Sequence, residues 1–311
     1  VFGPTGVGKT AIAVALARRL RARGEDPVAV SADALQVYAG LETLTGVASA
    51  AERARLEHRL VSFLPLEQTF SAGQYARLAH AEIDGLLQAG RRPIVVGGTG
   101  LYLRAALAEL DLKRPPAEGV RERLRSELER RGAPALHARL AARAPWAAAA
   151  IDRNDQQRIV RALERLEAGE LEPPEEGEGP AEPSQLWSGE MRRPTLLLGL
   201  TMEREALYAQ IDARVRAMLA AGVREEVERA HEAGASEAAR KALGFEELLA
   251  GDVEGMKRRT RNYAKRQLSW MRKLGGVRVI DVTGRGADEV AGEIARALDR
   301  GAALGGAAGW T

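Results

Sequence analysis

A glycine-rich turn near the start of the chain carries residue types suited to binding phosphate. Residues 3–10 fit the pattern G-x-x-x-x-G-K-[ST] at every fixed position. Glycines let backbone N–H groups line an anion-sized nest, and the helix that follows points its positive end at the same spot. Lys9 can then reach a terminal phosphate, and the Thr10 hydroxyl can ligate Mg²⁺. The predicted diphosphate- or nucleotide-binding residues are Gly3, Pro4, Thr5, Gly6, Val7, Gly8, Lys9 and Thr10.

A phosphate-binding loop does not specify a reaction, so the nearby acids matter. Motor ATPases and switch GTPases usually add an aspartate at the end of another core strand. Here the apolar run 91–98 ends in Gly97-Gly98, whereas the run 27–33 ends in Asp33. In a parallel sheet Asp33 would lie on the same edge as the loop, where a carboxylate can accept a proton or support Mg²⁺ through water. A helix cap or turn is the alternative interpretation of Asp33.

The elements that must position these residues alternate along the chain. Val1-Phe2 resembles the end of a strand, and apolar runs predict strands at 27–33, 91–98, 194–202 and 277–283. Helical periodicity predicts helices at 9–23, 50–59, 72–89, 203–231, 236–250, 253–274 and 286–300, with a further helix beginning near Gly100. This order predicts an α/β fold, a P-loop NTPase-like parallel sheet flanked by helices.

The middle of the chain departs from this alternation. Residues 117–168 are rich in Ala, Arg, Glu and Leu, with helical periodicity and little strand character. We therefore expect an inserted helical subdomain at 112–193, with an acidic loop at 170–193, between core segments 1–111 and 194–300. Residues 301–311 are predicted to be a disordered tail.

Composition excludes several classes of protein. The 311 residues contain no Cys and only four scattered His, which excludes disulfides and Cys-ligated metals and disfavours a His-based metal site. No apolar run reaches the ~18 residues of a membrane helix. The chain begins with Val-Phe, so its true start is expected to be missing. No secretory signal is visible, and the expected location is cytoplasmic.

Charge is distributed unevenly although the net charge is only +3. Residues 256–278 hold nine Lys or Arg and no acid. Within that stretch, Arg258, Arg261, Lys265 and Arg272 recur at steps that place them on one helix face. The pattern indicates either an anion-binding surface, such as a nucleic-acid footprint, or a solvated cationic face.

Six ordered motifs resemble those of the tRNA dimethylallyltransferases, also called tRNA isopentenyltransferases. Besides the glycine-rich turn, they are S-A-D-A-L-Q-V-Y-A-G at 31–40, G-G-T-G-L-Y at 97–102, N-D-Q-Q-R-I-V-R-A-L-E at 154–164, A-L-G-F at 242–245 and T-R-N-Y-A-K-R-Q-L-S-W at 260–270. The resemblance extends over the length of the chain.

The resemblance implies transfer of a dimethylallyl group from its diphosphate to the exocyclic amine of the adenine beside the anticodon of tRNA. Asp33 would be the general base, with Lys9 and Thr10 as further catalytic residues and Mg²⁺ held by Thr10. The inserted subdomain would grip the anticodon stem-loop, and the protein would act as a monomer. The implied tRNA-binding residues are Asp33, Ala34, Leu35, Gln36, Thr99, Arg121, Gln157, Arg158, Ile159, Val160, Arg161, Lys241, Gly244, Lys265, Arg266, Gln267 and Arg272.

Two positions depart from the family pattern, and other activities stay open. Ala34 stands where the family has Ser, and Val47 stands where the family has Lys in Gly-Thr-Ala-Lys-Pro. The alternatives are prenyl transfer to free adenylate nucleotides, a P-loop small-molecule kinase with Asp33 as base, and an RNA-binding protein with a vestigial loop. The Arg-rich segment and the insertion favour tRNA, because a free nucleotide needs no such surface.

Overall fold

A computed structural model gives the structure of the chain. It describes residues 1–110, 117, 119–171, 173, 186 and 189–305. The chain divides into two compact units, one of residues 1–112 with 185–311 and one of residues 113–184. We call these the catalytic unit and the inserted unit. The predicted acidic loop falls mainly outside the described residues.

The strands of the catalytic unit are short and pair in parallel. They are β1 (Pro27–Ala32), β2 (Glu57–Arg59), β3 (Arg92–Gly97), β4 (Leu198–Thr201) and β5 (Arg278–Asp281). β1 lies between β2 and β3, with Ala32 opposite Gly97, and β4 pairs with β5. Phe2 bridges to Gly97 and to Gly199, so it joins the two groups of strands. The glycine-rich loop (residues 3–10) therefore leaves the middle of the sheet.

Helices cover both faces of the sheet. Side chains of a strand alternate between the two sides, so the apolar residues on each side pack against a layer of helices. Val28 and Val30 pack with α4 (Ala72–Gln88) and α5 (Gly100–Leu107), whereas Ala29 between them packs with α1 (Lys9–Arg21). α1 also packs against the last helix. The remaining helices of this unit are α2 (Glu42–Thr45), α3 (Ala50–Arg55), α9 (Arg204–Ala220), α10 (Val223–Glu232), α11 (Phe245–Leu249), α12 (Val253–Met271) and α13 (Ala287–Gly305).

The inserted unit is helical in its described residues. α6 (Val120–Arg143), interrupted at Gly132, packs against α7 (Pro145–Ala149) and α8 (Gln156–Glu167). Leu136, Leu140, Ile159 and Leu163 form its buried core. Across the described residues of both units, no helix is long and apolar enough to cross a membrane. The predicted α/β class with a parallel sheet is confirmed.

Four sequence predictions of elements need correction. The helix expected at 50–59 ends at Arg55, and Glu57–Arg59 form β2, a polar edge strand without an apolar run to reveal it. The helix expected at 203–231 breaks at Gly222, whose φ of 81° ends one helix and begins the next. The helix expected at 236–250 consists of a short 3₁₀ turn and α11. α13 continues to Gly305, into the predicted tail, and residues 306–311 lie outside the described residues.

Candidate active site

The glycine-rich loop forms a turn that opens into α1. Gly6 and Gly8 have φ of 85° and 90°, a left-handed conformation that side chains disfavour, and Gly8 is the N-cap of α1. The first N–H groups of α1 therefore face the loop without helical partners. Lys9 curls back over the loop, and its Nζ donates to the carbonyl oxygens of Gly3 at 3.0 Å and Pro4 at 2.9 Å. The loop thus brings a cation and free backbone donors to one point.

Asp33 follows β1 at the carboxyl edge of the sheet. Its Oδ1 accepts a hydrogen bond of 2.9 Å from the backbone N–H of Leu35, which fixes the carboxylate in a turn. Asp33, Lys9 and Thr10 all line one cavity of about 630 Å³ that begins at the glycine-rich loop. The cavity also receives Arg214 from α9 and Tyr263 from α12. Asp33 therefore shares this cavity with Lys9 and Arg214.

Burial changes the protonation of these groups. Loss of solvation lowers the pKa of Lys9 to about 8, although the nearby negative charge of Asp33 opposes that change. Burial raises the pKa of Asp33, against the opposing effects of the Leu35 N–H and Lys9. Burial also raises the pKa of Tyr263 to about 12, and the charge of Asp33 acts in the same direction. Asp33 is thereby a stronger base than a solvated aspartate, and Tyr263 remains a neutral phenol.

Gln267 of α12 joins two loops of the site. Its Oε1 accepts from the Thr5 N–H at 2.8 Å, and its Nε2 donates to the Gly98 carbonyl at 2.7 Å. The side chain is buried, and a Cβ on Gly98 would collide with its amide. The structure therefore makes Gln267 a support for the glycine-rich loop, which differs from the tRNA contact expected for it.

The Gly-Gly-Thr-Gly motif that begins at the last residue of β3 is explained by close packing. A Cβ on Gly97 would collide with the carbonyl of Ala32, and a Cβ on Gly100 would collide with the Trp270 ring. Thr99 is partly exposed, and its Oγ1 accepts from the Ala34 N–H at 3.4 Å and lies 3.4 Å from the Tyr263 hydroxyl. Thr99 therefore lies beside the loop that carries Asp33.

The segment after Asp33 is held by its own hydrogen bonds. The Ser31 hydroxyl donates to the Gln36 Oε1 at 2.9 Å, and the Gln36 Nε2 donates to the Gly46 carbonyl at 3.1 Å. The Gln36 amide is therefore engaged within the protein, while Ala34 and Leu35 are partly exposed. Leu35 and Gln36 line the cavity.

The basic face expected on α12 is only partly free. Arg261 makes an ion pair with Asp212 of α9 at 2.5 Å, and Arg258 lies 3.4 Å from Asp252. Arg261 therefore takes part in the contact between α9 and α12, and it shares a helix face with Lys265 as predicted, since both side chains lie over the Tyr208 ring. On α12 and at its C-cap, three cations are exposed without a carboxylate partner among the described residues: Lys265, Arg266 and Arg272.

The two predicted residues near α11 have different surroundings. Lys241 is exposed and pairs with Glu237 at 3.0 Å. Gly244 is buried with a φ of 100°, and a Cβ there would lie 2.7 Å from the Met256 Cε. The prediction of a tRNA contact at Gly244 is therefore not matched by its position beneath Met256.

The predicted residues of the inserted unit divide by helix face. Gln157 and Arg158 are exposed on α8, whereas Ile159 and Val160 are buried in the unit's core. Burial removes these two side chains from any RNA contact, because the amphipathic helix turns its apolar face inward. The buried carboxylate of Glu164 accepts two hydrogen bonds from Arg121, at 2.6 and 3.0 Å, and one from Arg161 at 3.1 Å.

The donors for a metal ion are few. Within the described residues no group of three or more acidic, His or Cys side chains could hold a metal ion. The cavity does offer the Thr10 hydroxyl and the Asp33 carboxylate. This oxygen donor set fits Mg²⁺, which keeps several waters and usually binds through one or two protein groups together with substrate phosphates.

Sequence reasoning missed two members of the site. Arg214 lies in an ordinary helical stretch of α9, and its Nη2 lies 3.5 Å from the Thr45 carbonyl oxygen. No local pattern distinguishes it from Arg216, which is exposed on the same helix. Tyr263 lies inside the motif at 260–270, but no role in the site was predicted for it. Arg214 and Tyr263 reach the cavity only because α9 and α12 pack beside the glycine-rich loop in the folded protein.

A parallel sheet with a glycine-rich loop at its carboxyl edge defines an α/β protein of the P-loop-like class. Among known proteins, the sequence profile of the family described as IPP transferase matches residues 36–274. A tRNA dimethylallyltransferase from Anaeromyxobacter sp. (strain K) is 43% identical over 292 residues, 89% of this chain and 90% of that protein. One from Bacillus velezensis is 36% identical over 294 residues, with 91% and 90% covered.

A solved structure agrees with these relatives. The full-length tRNA isopentenylpyrophosphate transferase from Bacillus halodurans superposes with a TM-score of 0.67 and 31% identity, covering 96% of this chain and 94% of that one. The chain therefore belongs to the IPP transferase family, the family of the tRNA dimethylallyltransferases. It is an enzyme of the prenyltransferase class, and the resemblance stated from its motifs is confirmed.

Proposed function

We propose that this enzyme transfers a dimethylallyl group from dimethylallyl diphosphate to the exocyclic amine of the adenine that follows the anticodon in tRNA. The observation that carries the proposal is the single cavity in which Lys9 and Arg214 face Asp33. Cations beside a partly buried carboxylate suit a reaction with an anionic leaving group and a proton to remove. That the transferred group is a prenyl group and the acceptor is tRNA is inferred from membership of the family.

The chemistry assigns a task to each charge. The bond between the allylic carbon and its oxygen breaks, and the electron pair leaves with the diphosphate. Lys9, Arg214 and the N–H groups of the glycine-rich loop stabilise that leaving group. The adenine amine is a poor nucleophile because its lone pair is delocalised, so Asp33 accepts its proton as the nitrogen–carbon bond forms. General bases of this kind contribute about 10²–10⁴-fold in rate.

Thr10 and the diphosphate oxygens would hold Mg²⁺. The metal would neutralise charge on the leaving diphosphate. The Thr10 hydroxyl is well suited to this role because it follows Lys9 at the first turn of α1, beside the glycine-rich loop. Asp33 is assigned the role of base.

The tRNA partner is proposed to be the anticodon stem-loop, bound by one enzyme monomer. The adenine must leave its stack to reach Asp33, which lies inside the cavity. Lys265, Arg266 and Arg272 form an exposed cationic face on α12, and Gln157 and Arg158 are exposed on α8. These residues are proposed to contact the RNA, together with Thr99, Ala34 and Lys241.

The experiment is incubation of the protein with Mg²⁺, dimethylallyl diphosphate and unmodified tRNA, followed by mass spectrometry of the digested nucleosides. Isopentenyladenosine beside the anticodon is expected, and Asp33→Asn should remove it while leaving tRNA affinity nearly unchanged. If Asp33→Asn lowered tRNA affinity as much as it lowered product formation, Asp33 would be a binding residue instead.

Free adenylate and ATP serve as the competing substrates. Product from adenylate but not from tRNA would establish the free-nucleotide reaction. ATP turnover without prenyl transfer would establish a kinase. The exposed cations on α12 favour tRNA over either small substrate, because they lie outside the cavity lining.

A further inference from the structure

The side of the cavity formed by α9 changes from charged to apolar residues along the helix. Midway along α9, Ile211 packs under the glycine-rich loop, since a Cβ on Gly6 would lie 3.0 Å from the Ile211 Cγ1. Arg214 follows and faces the charged part of the cavity. Met218 lies one turn further, ~6 Å along the axis from Arg214, and also lines the cavity.

α12 runs in the opposite direction and shows the same progression. Gln267 holds Thr5 of the glycine-rich loop, and Tyr263 lies one turn before it beside Thr99. Met256 lines the cavity ~16 Å along the helix axis from Gln267. The lining residues on α9 and on α12, which pack against each other, therefore change from charged to apolar in the same direction.

Two methionines line the cavity at the parts of α9 and α12 that lie farthest along each helix from the glycine-rich loop. Met218 and Met256 are 8% and 2% exposed, and they belong to one apolar cluster with Leu44 and Val215. Gly244 packs closely behind Met256, where any larger residue would collide with the thioether. This end of the cavity offers an apolar tail a surface that needs no hydrogen bonds.

We propose that Met218 and Met256 form the end wall that limits the prenyl donor to a tail of one isoprene unit. The inference rests on the proposed function and extends it to donor selectivity. With the diphosphate at the glycine-rich loop, the tail extends along α9 and α12 toward this wall. A geranyl tail, longer by one isoprene unit, would collide with the two side chains. The bonds that break and form are the same for either donor, and Asp33 takes the amine proton in both.

The test measures donor choice in Met218→Ala, Met256→Ala and the double variant. Each protein is given tRNA with either dimethylallyl diphosphate or geranyl diphosphate, and the adducts are distinguished by nucleoside mass. The wild type should form mainly the dimethylallyl adduct, with only a trace of the geranyl adduct. Each alanine variant should raise the ratio of geranyl to dimethylallyl kcat/KM by about 10–200-fold, the range for small changes of volume in an apolar pocket.

Two control variants separate an end wall from general damage. Met218→Leu conserves side-chain volume and should keep the wild-type donor ratio. Met271→Ala removes an equally buried methionine of α12 that does not line the cavity, and it should lower the melting temperature without changing the ratio. Alanine variants that transfer dimethylallyl yet still refuse geranyl would overturn the end wall. Absence of any adduct from the wild type would instead overturn the proposed function.

Discussion

At the residue scale, the site depends on how neighbouring charges set the protonation of Asp33. Burial raises the pKa of this carboxyl, while the positive charges of Lys9 and Arg214 lower it. The base form is present above that raised pKa and is lost as pH falls through it. The acidic limb of the rate profile should therefore lie at higher pH than for a solvated aspartate.

Arg214→Gln should move this acidic limb further upward. Removal of the guanidinium eliminates a charge that favours the ionised carboxylate, so the pKa of Asp33 rises again. The KM for dimethylallyl diphosphate should rise as well, because a cation facing the leaving group is lost. Single-turnover rates between pH 5 and 9 measure the limb. Arg216→Gln, on the exposed face of the same helix, should change neither quantity.

At the element scale, α12 has two sides with different tasks. Its buried side carries Gln267, which holds the Thr5 N–H and the Gly98 carbonyl. Its exposed side carries Lys265, Arg266 and Arg272. Neighbouring residues of one helix should therefore affect different substrates.

Gln267→Met should raise the KM for dimethylallyl diphosphate several-fold and leave the KM for tRNA nearly unchanged. The substitution keeps the volume of the side chain but removes both amide hydrogen bonds, so the glycine-rich loop loses its support. Steady-state kinetics with each substrate varied in turn gives both constants. A rise confined to the KM for tRNA would return Gln267 to the RNA-contacting role predicted from the motif.

Replacing Lys265, Arg266 and Arg272 together by Gln should weaken tRNA binding and flatten its dependence on salt. Each lost phosphate contact reduces the slope of log K against log salt by about 0.7–0.9. Filter binding at several salt concentrations gives the slope. Arg261→Gln is the comparison, because this residue is paired with Asp212 and should affect stability more than the slope. An unchanged slope in the triple variant would remove α12 from the RNA footprint.

Local patterns predicted the elements better than they predicted the site. The glycine-rich loop and β1 are encoded by consecutive glycines and apolar residues, so both could be located from sequence. β2 has the polar sequence Glu57–Arg59 and is defined by its pairing with β1, which no local pattern reveals. Arg214 and the support given by Gln267 depend on where distant helices meet the loop. Burial of Ile159, Val160 and Gly244 likewise follows from packing partners rather than from the motifs that contain them.

At the scale of the whole molecule, the chain has two units with separate apolar cores. The core of the inserted unit contains Leu163, and the core on one face of the catalytic sheet contains Leu103. Damage to one core should therefore have consequences different from damage to the other.

Leu163→Ala should destabilise the inserted unit by about 2–5 kcal/mol, the usual effect of removing a fully buried leucine side chain. tRNA affinity should fall, while the KM for dimethylallyl diphosphate should stay the same because the cavity lies in the other unit. Leu103→Ala, equally buried beside β1, should instead impair catalysis. Denaturant unfolding with tRNA binding and kinetics distinguishes the two, and equal effects on both substrates would contradict separate tasks.

The position of Lys9 links donor binding to proton uptake. In the free enzyme the Lys9 ammonium donates hydrogen bonds to two carbonyl oxygens of its own loop, and burial lowers the pKa of Lys9 to about 8. An arriving diphosphate favours the charged amine and raises that pKa, so near pH 8 the enzyme should take up a fraction of a proton from the buffer. Affinity for the donor should fall as pH rises above 8, where the free enzyme has lost this proton. Calorimetric titration with inorganic pyrophosphate in buffers of different ionisation enthalpy would measure the uptake, and Lys9→Met would abolish it.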